Sequence, residues 1–185
     1  NYRAHAAELN NTVPEGEPLF FYKPTSSVIS SGGTIVLPPN VGRVDYEGEL
    51  GVVISVTTKN VEEEEVSQVV KGLVPAFDIT ARALQKSTGH FSLAKGFDTF
   101  CPIGVLAESG SSSDGSNLRL RTYLNDECVQ DSFTSNMVHS IPRLISYLSS
   151  VITLEENDLI LTGTPAGVGP ISSGDNLRLE IDGLS

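Results

Sequence analysis

One segment constrains this chain more than any other: Val44-Asp45-Tyr46-Glu47-Gly48-Glu49-Leu50-Gly51-Val52-Val53-Ile54. Alternate residues of a strand share a face, so Glu47 and Glu49 project side by side, about 6.5 Å apart at Cα. Leu50, Val52 and Ile54 occupy the other face, and the run from Gly51 to Ile54 is apolar on both. Such a strand belongs near the core, where two like charges are costly unless a cation sits between them. The plainer reading is an exposed acidic strand edge, because 23 acidic residues face 12 basic ones and the net charge is −11.

A third carboxylate strengthens the cation reading. Asp78 is set inside the apolar stretch Leu73-Val74-Pro75-Ala76-Phe77-Asp78-Ile79, and Asp is rarely buried unpaired. It serves either as the N-cap of a helix starting near Thr80 or as a third oxygen ligand beside Glu47 and Glu49. Three carboxylates without His or Cys make a hard-oxygen site, suited to Mg²⁺ or Mn²⁺ and less to Zn²⁺.

The whole chain, 185 residues with 39% hydrophobic content, supports one domain over 1–185 and is too apolar for a disordered tail. Its acidity repels phosphate backbones, which excludes a nucleic-acid partner. No apolar run approaches a bilayer span, so no membrane partner is expected. Cys101 and Cys128 lie far apart without CxxC spacing, which points to a reducing cytoplasm. The chain begins Asn1-Tyr2 with no Met, consistent with processing or an internal start, so a first strand is expected to be missing.

Strand signals dominate. Strands are expected at 34–37, 45–56 and 177–181, with a hairpin from 118–124 through Asn125-Asp126 to 128–130. A helix capped by Asn60 should carry the stripe Val66, Val69, Val70 and Leu73. A second helix spans 141–150 with Pro142 in its first turn, and a short third covers 80–86. Residues 107–117, rich in Ser and Gly, read as a surface loop. The class is α+β, mostly β with peripheral helices.

His5 and Glu8 sit at i, i+3 on one side of a helical turn. A His oriented by a carboxylate suits proton transfer, although a surface contact is the commoner outcome. Lys23 and Lys95 lie among apolar neighbours. Either their stems rest on a core edge, or both amines and the Arg82 guanidinium face an organic anion. Leu161-Thr162-Gly163-Thr164-Pro165-Ala166-Gly167-Val168-Gly169-Pro170 lacks the GK[ST] ending of a phosphate loop. Its Thr hydroxyls and backbone N–H groups fit a small-molecule pocket better. His90 and His139 have no comparable partners and read as structural or exposed.

Taken together, these segments resemble the fumarylacetoacetate hydrolase superfamily, in particular its short acylpyruvase-like members. The matching pieces are Asn1-Tyr2 with His5 and Glu8, Phe21-Tyr22-Lys23-Pro24, Asp45 to Leu50, Asp78 to Gln85, Lys95-Gly96-Phe97-Asp98, and Leu161 to Gly169. They follow the family's order and cover nearly the whole chain. The resemblance implies a mixed β-sandwich or roll with peripheral helices, assembled as a homodimer. It implies Mg²⁺ or Mn²⁺ held by Glu47, Glu49 and Asp78, and a mobile lid bearing His5 and Glu8. It also places Lys95, Lys23, Arg82, Gln85 and Thr164 around the pocket. Two departures bear on that pocket: the family's Ala-Arg-Asp reads Ala81-Arg82-Ala83, and Gly104-Val105-Leu106 stands where many members have Gly-Pro-Trp.

The implied activity is hydrolysis of a C–C bond in a small 2,4-dioxo acid of the acylpyruvate type. His5, oriented by Glu8, would deprotonate the attacking water, with Lys95 as the third catalytic residue. Lys23, Arg82, Gln85 and Thr164 would bind the 2-oxo acid. The rivals are oxaloacetate decarboxylation and 2-hydroxyhepta-2,4-diene-1,7-dioate isomerisation, which share an enolate and so share these motifs. A degenerate, non-catalytic binding protein is the rival of another class, opposed by the intact His5, Glu8, Glu47, Glu49 and Asp78.

Overall fold

The computed structural model describes residues 1–108 and 114–184. Among these residues the strands form three sheets. The largest is centred on the antiparallel pair β3 (Gly48–Ile54) and β4 (Val70–Phe77), with Gly51 opposite Val74. β10 (Leu159–Leu161) pairs with β3 on its other side. β6 (Cys101–Ile103) and β7 (Ala107–Glu108) pair with β4, and β1 (Val28–Ser30) runs parallel to β6. In the second sheet β2 (Val44–Tyr46) lies between β5 (Thr80–Ala81) and β11 (Gly169–Pro170). In the third, β8 (Arg119–Leu124) lies between β9 (Glu127–Phe133) and β12 (Leu177–Ile181). Four α-helices complete the described residues: α1 (Arg3–Glu8), α2 (Arg82–Thr88), α3 (Phe91–Lys95) and α4 (Ile141–Val151). The architecture is mostly β with few helices, and none of the described helices is long and apolar enough to cross a membrane.

Local signals account for several elements. The β8–β9 hairpin turns on Asn125 and Asp126, both at positive φ (51° and 69°), as a tight two-residue connection requires. α4 opens on Ser140, whose side chain accepts from the Arg143 N–H at 3.3 Å, and Pro142 sits in the first turn. Ile141, Ile145 and Leu148 of its stripe pack into one cluster with Leu50, Val52, Ile54 and Leu120, and Leu144 is buried as well. A second cluster gathers Val44, Tyr46, Phe77, Ile79 and Phe100.

Other expectations are corrected. The acidic strand does not run unbroken from 45 to 56: it divides at Glu47 into β2 and β3, which belong to different sheets. The helix expected after Asn60 is only a 3₁₀ segment, Glu63–Gln68, capped by Glu62 in a reciprocal box with Glu65. Val70 and Leu73 stand instead in β4, because a short apolar run fits either period and pairing with buried β3 outweighs the helical stripe. Residues 34–37 form no strand; Val36 N–H donates to the Thr99 hydroxyl at 2.8 Å rather than to a ladder partner. The third helix starts two residues late, since Thr80 and Ala81 pair with Asp45 and Val44. Within the expected loop at 107–117, Ala107–Glu108 forms β7, and 109–113 lie outside the described residues.

Candidate active site

The break at Glu47 builds the site. Asp45, Glu47 and Glu49 alternate with Val44, Tyr46 and Gly48, and Asp78 stands between Phe77 and Ile79. Val44, Tyr46, Phe77 and Ile79 turn into the second apolar cluster, which leaves the intervening acids to face one another. The Asp78 N–H donates to Glu47 O at 2.9 Å, so the two residues lie side by side across adjacent segments. Oxygens of Glu47, Glu49 and Asp78 converge within 4.8 Å of one another, and all three residues are buried. Asp78 is not a helix cap: α2 is capped at Ala81 without any side-chain bond.

Cations surround two of these acids. Lys95 Nζ, itself buried, donates to Glu47 Oε2 at 2.6 Å and to Asp78 Oδ2 at 2.5 Å. Lys23 Nζ donates to Asp78 Oδ1 at 2.8 Å and also to Lys95 O. The Arg82 guanidinium spends all three nitrogens: Nε on Asp45 Oδ2 at 2.9 Å, Nη1 on Gln85 Oε1 at 2.7 Å, and Nη2 on Glu47 Oε1. Both lysines therefore belong to the site and not merely to a core edge.

Glu49 is different. Its Oε2 accepts from the Gly163 N–H at 2.6 Å, and no cationic side chain among the described residues forms an ion pair with it. The electrostatics diverge accordingly. Burial would raise Glu47, but the Lys95 ammonium and the Arg82 guanidinium outweigh it and hold that carboxyl at about 2. Burial and the Asp78 charge push Glu49 up to about 8, against the pull of Lys95. Burial lowers Lys95, yet Asp78, Glu47 and Glu49 more than compensate and hold it above the ordinary lysine range. Three converging oxygen donors, one lacking a counter-charge, fit a hard divalent cation such as Mg²⁺ or Mn²⁺.

The dyad expected from sequence forms beside them. His5 Nδ1 lies 2.7 Å from Glu8 Oε1 on α1. Glu8 Oε2 accepts from the Gly167 N–H at 2.9 Å, and Gly167 O accepts from the Tyr46 hydroxyl at 2.9 Å. Gly167 tolerates no side chain there: φ is +100°, and a Cβ would stand 2.1 Å from Val129 O. Thr164 is placed behind the strand junction. Its hydroxyl donates to Gly48 O at 2.8 Å and accepts from Gln130 Nε2 at 2.8 Å. His139 is structural, buried with Nε2 2.9 Å from Pro14 O, whereas His90 is exposed.

Sequence reasoning assigned no role to Asp45 or Gln130. Asp45 was legible as the next acid in the Glu47, Glu49 alternation. Gln130 is buried and holds Gly48 N–H at 3.0 Å, a role only the folded hairpin reveals. Gly163 and Gly167 act through backbone N–H groups, as expected of their glycine-rich loop, but they hold Glu49 and Glu8.

Gly48 separates the two glutamates under tight constraint. A Cβ there would stand 2.2 Å from Thr122 Oγ1 and 3.1 Å from Gln130 Oε1. Gly48→Ala is expected to cost about 1–3 kcal/mol, the usual cost of overpacking. The measurement is the urea midpoint at constant m-value; an unchanged midpoint would show that β8 yields freely.

A cavity of about 790 Å³ lies between residues 30–37, β4, β6 and residues 171–179. It contains none of the site residues, and its titratable side chains, Asp175 and Arg178, are exposed. The chemistry therefore centres on the smaller, charged region.

Comparison with known proteins agrees with this geometry. Residues 1–185 match the family described as fumarylacetoacetate (FAA) hydrolase C-terminal. The chain is 43% identical over 189 residues to an Arabidopsis thaliana mitochondrial protein named oxaloacetate tautomerase, covering 100% of this chain and 84% of the relative. Among solved structures, fumarylpyruvate hydrolase from Pseudomonas aeruginosa, in complex with Mn²⁺ and pyruvate, is 33% identical with a TM-score of 0.90. That match covers 100% of this chain and 82% of the other. The 5-carboxymethyl-2-hydroxymuconate delta-isomerase from Mycobacterium smegmatis is 39% identical with a TM-score of 0.91, covering 100% and 72%.

Proposed function

This chain belongs to the fumarylacetoacetate hydrolase family, and we propose that it is a divalent-cation-dependent hydrolase of small 2,4-dioxo acids. The observation that carries this reading is the His5–Glu8 dyad formed at 2.7 Å beside the converging Glu47, Glu49 and Asp78 carboxylates. A divalent cation held by those three carboxylates would supply Lewis acidity toward the substrate's 2-oxo and carboxylate oxygens.

The chain's own residues do the rest. With Nδ1–H donated to Glu8, the His5 ring presents Nε2 as a base, a tautomer set by that hydrogen bond. Nε2 takes a proton from the water that attacks the C4 carbonyl. The C3–C4 bond then breaks, its electron pair goes to C3, and a proton returned to C3 completes pyruvate beside the released carboxylic acid. Lys95 and Lys23 keep cationic donors at the base of the pocket, and Arg82 fixes Glu47 and Gln85 in place.

A second reading is keto–enol tautomerisation of oxaloacetate, favoured by relatives 42–44% identical that bear that name. There His5 would carry a proton to or from C3, and no water would attack.

The test is a substrate panel on protein stripped of metal and reconstituted with Mg²⁺ or Mn²⁺. Hydrolysis appears as pyruvate formed from an acylpyruvate only after cation is restored. Tautomerase activity appears as enol absorbance lost from oxaloacetate without pyruvate. Silence on both substrates with cation present would reject both readings.

A further inference from the structure

α1, which carries the dyad, has little of its own to hold it in place. It is six residues long, none of them buried, and Tyr2 before it supplies no side-chain cap. A helix so short is marginal without outside anchors. Its placement depends on the chain that enters and leaves it, and both flanks are fastened to His139, the residue before the Ser140 cap of α4.

On the entering side, Asn1 Oδ1 accepts from the His139 N–H at 2.8 Å. Asn1 Nδ2 donates to His139 O at 2.9 Å and to Thr162 O at 2.8 Å. The Val138 N–H donates to Asn1 O at 2.8 Å, and Tyr2 bridges to Met137. Thr162 precedes Gly163, whose N–H holds Glu49, so this flank is registered to the converging acids. On the leaving side, His139 Nε2 lies 2.9 Å from Pro14 O. A carbonyl only accepts, so Nε2 carries the proton and donates it. His139 is buried, whereas the other side-chain bonds to 10–18 among the described residues, from Arg3 to Glu15 and from Tyr147 to Glu17, are exposed.

Resting on the reading of His5 and Glu8 as the proton-transfer pair, we propose that His139 is a positioning residue for that pair. Its backbone fixes where α1 begins, and its imidazole fixes where the chain leaves it. Glu8 adds a third attachment through the Gly167 N–H. Three attachments at separate points leave α1 no free pivot, and the His5 ring keeps one orientation. Without the Nε2 donor the leaving flank is released, and α1 can swing about its entering end. His139 touches neither the dyad nor the three acids, so it acts only through the placement of α1.

Two variants separate the ring's hydrogen bond from its bulk: His139→Leu removes the donor, and His139→Gln returns an amide N–H near the place of Nε2. Hydrogen exchange read by mass spectrometry in excess Mg²⁺ reports on α1 and needs no turnover. In His139→Leu the peptide covering 1–17 should exchange about 5- to 10-fold faster, the worth of one hydrogen bond, while β3 and β4 keep the wild-type rate. On whichever of acylpyruvate and oxaloacetate the wild type turns over, kcat should fall by about 10- to 100-fold with KM and Mg²⁺ affinity unchanged, as misplacement of a reacting group predicts. His139→Gln should recover most of both losses. Wild-type exchange in His139→Leu, or acceleration that spreads to β3 and β4, overturns the anchor. Faster exchange at 1–17 with kcat intact overturns the positioning role, as does a loss in His139→Gln equal to that in His139→Leu. Wild-type protein silent on both substrates rejects the proton-transfer reading and the positioning role with it, while the exchange rates still decide whether His139 anchors α1.

Discussion

Glu49→Gln is expected to weaken Mn²⁺ or Mg²⁺ binding by about 10²-fold or more without lowering the stability of the metal-free protein. Two facts give this combination its force. Glu49 is one of three converging oxygen donors, so losing its charge removes a ligand from a hard-cation site. Yet it pairs with no cationic side chain among the described residues, and burial with the Asp78 charge already pushes it up to about 8. An amide of nearly the same volume still accepts the Gly163 N–H and breaks no ion pair. Glu47→Gln makes the contrast. Its carboxylate anchors both Lys95 and Arg82, so the same change breaks buried pairs and is expected to cost several kcal/mol. Calorimetry with Mn²⁺ and melting in chelator separate the two effects. A Glu49→Gln protein that melts well below wild type but binds Mn²⁺ normally would falsify the assignment of Glu49 as a ligand and make it a scaffold residue.

His5→Ala should lower acylpyruvate cleavage by about 10² to 10⁴, the usual worth of a positioned general base. Mn²⁺ affinity should barely move, because His5 is not among the three converging donors. The loss should fall on kcat, since the imidazole acts on the water and not on the substrate's anchoring oxygens. Oxaloacetate provides the internal control. If His5 serves water activation alone, tautomerisation survives its removal; if it also carries the C3 proton, both activities fall together. Undiminished acylpyruvate cleavage in His5→Ala would exclude the dyad from the chemistry.

The hydrolysis and tautomerisation proposed above would share one requirement, a proton moved next to a polarised 2-oxo acid. The chain brings together His5 on α1, Glu8 bonded to it, and converging acids at the β2–β3 break. Gly167 links these parts, because its N–H holds Glu8 while its carbonyl is held by Tyr46, the neighbour of Glu47. The dyad and the acids are thus registered to each other through one peptide unit.

Much of this was legible in the chain as written. The alternation through Glu47 and Glu49, the Asn125-Asp126 hairpin, the capped stripe of α4 and the i, i+3 spacing of His5 and Glu8 are short-range patterns. Each depends on neighbours within a turn or a strand, so local sequence is enough to determine it. Other features were decided only by tertiary structure. Val70 joined β4 and not a helix because β3 offered a buried ladder partner. Lys95 reaches Glu47 across 48 residues, Lys23 reaches Asp78 across 55, and Gly167 reaches Glu8 across 159. Local sequence determines which side chains carry charge and the alternation that puts Glu47 and Glu49 on one side. Which acid keeps a cationic partner and which stands without one depends on contacts between distant segments, because buried charges are sensitive to the few groups within hydrogen-bond reach and those groups meet only in the folded chain.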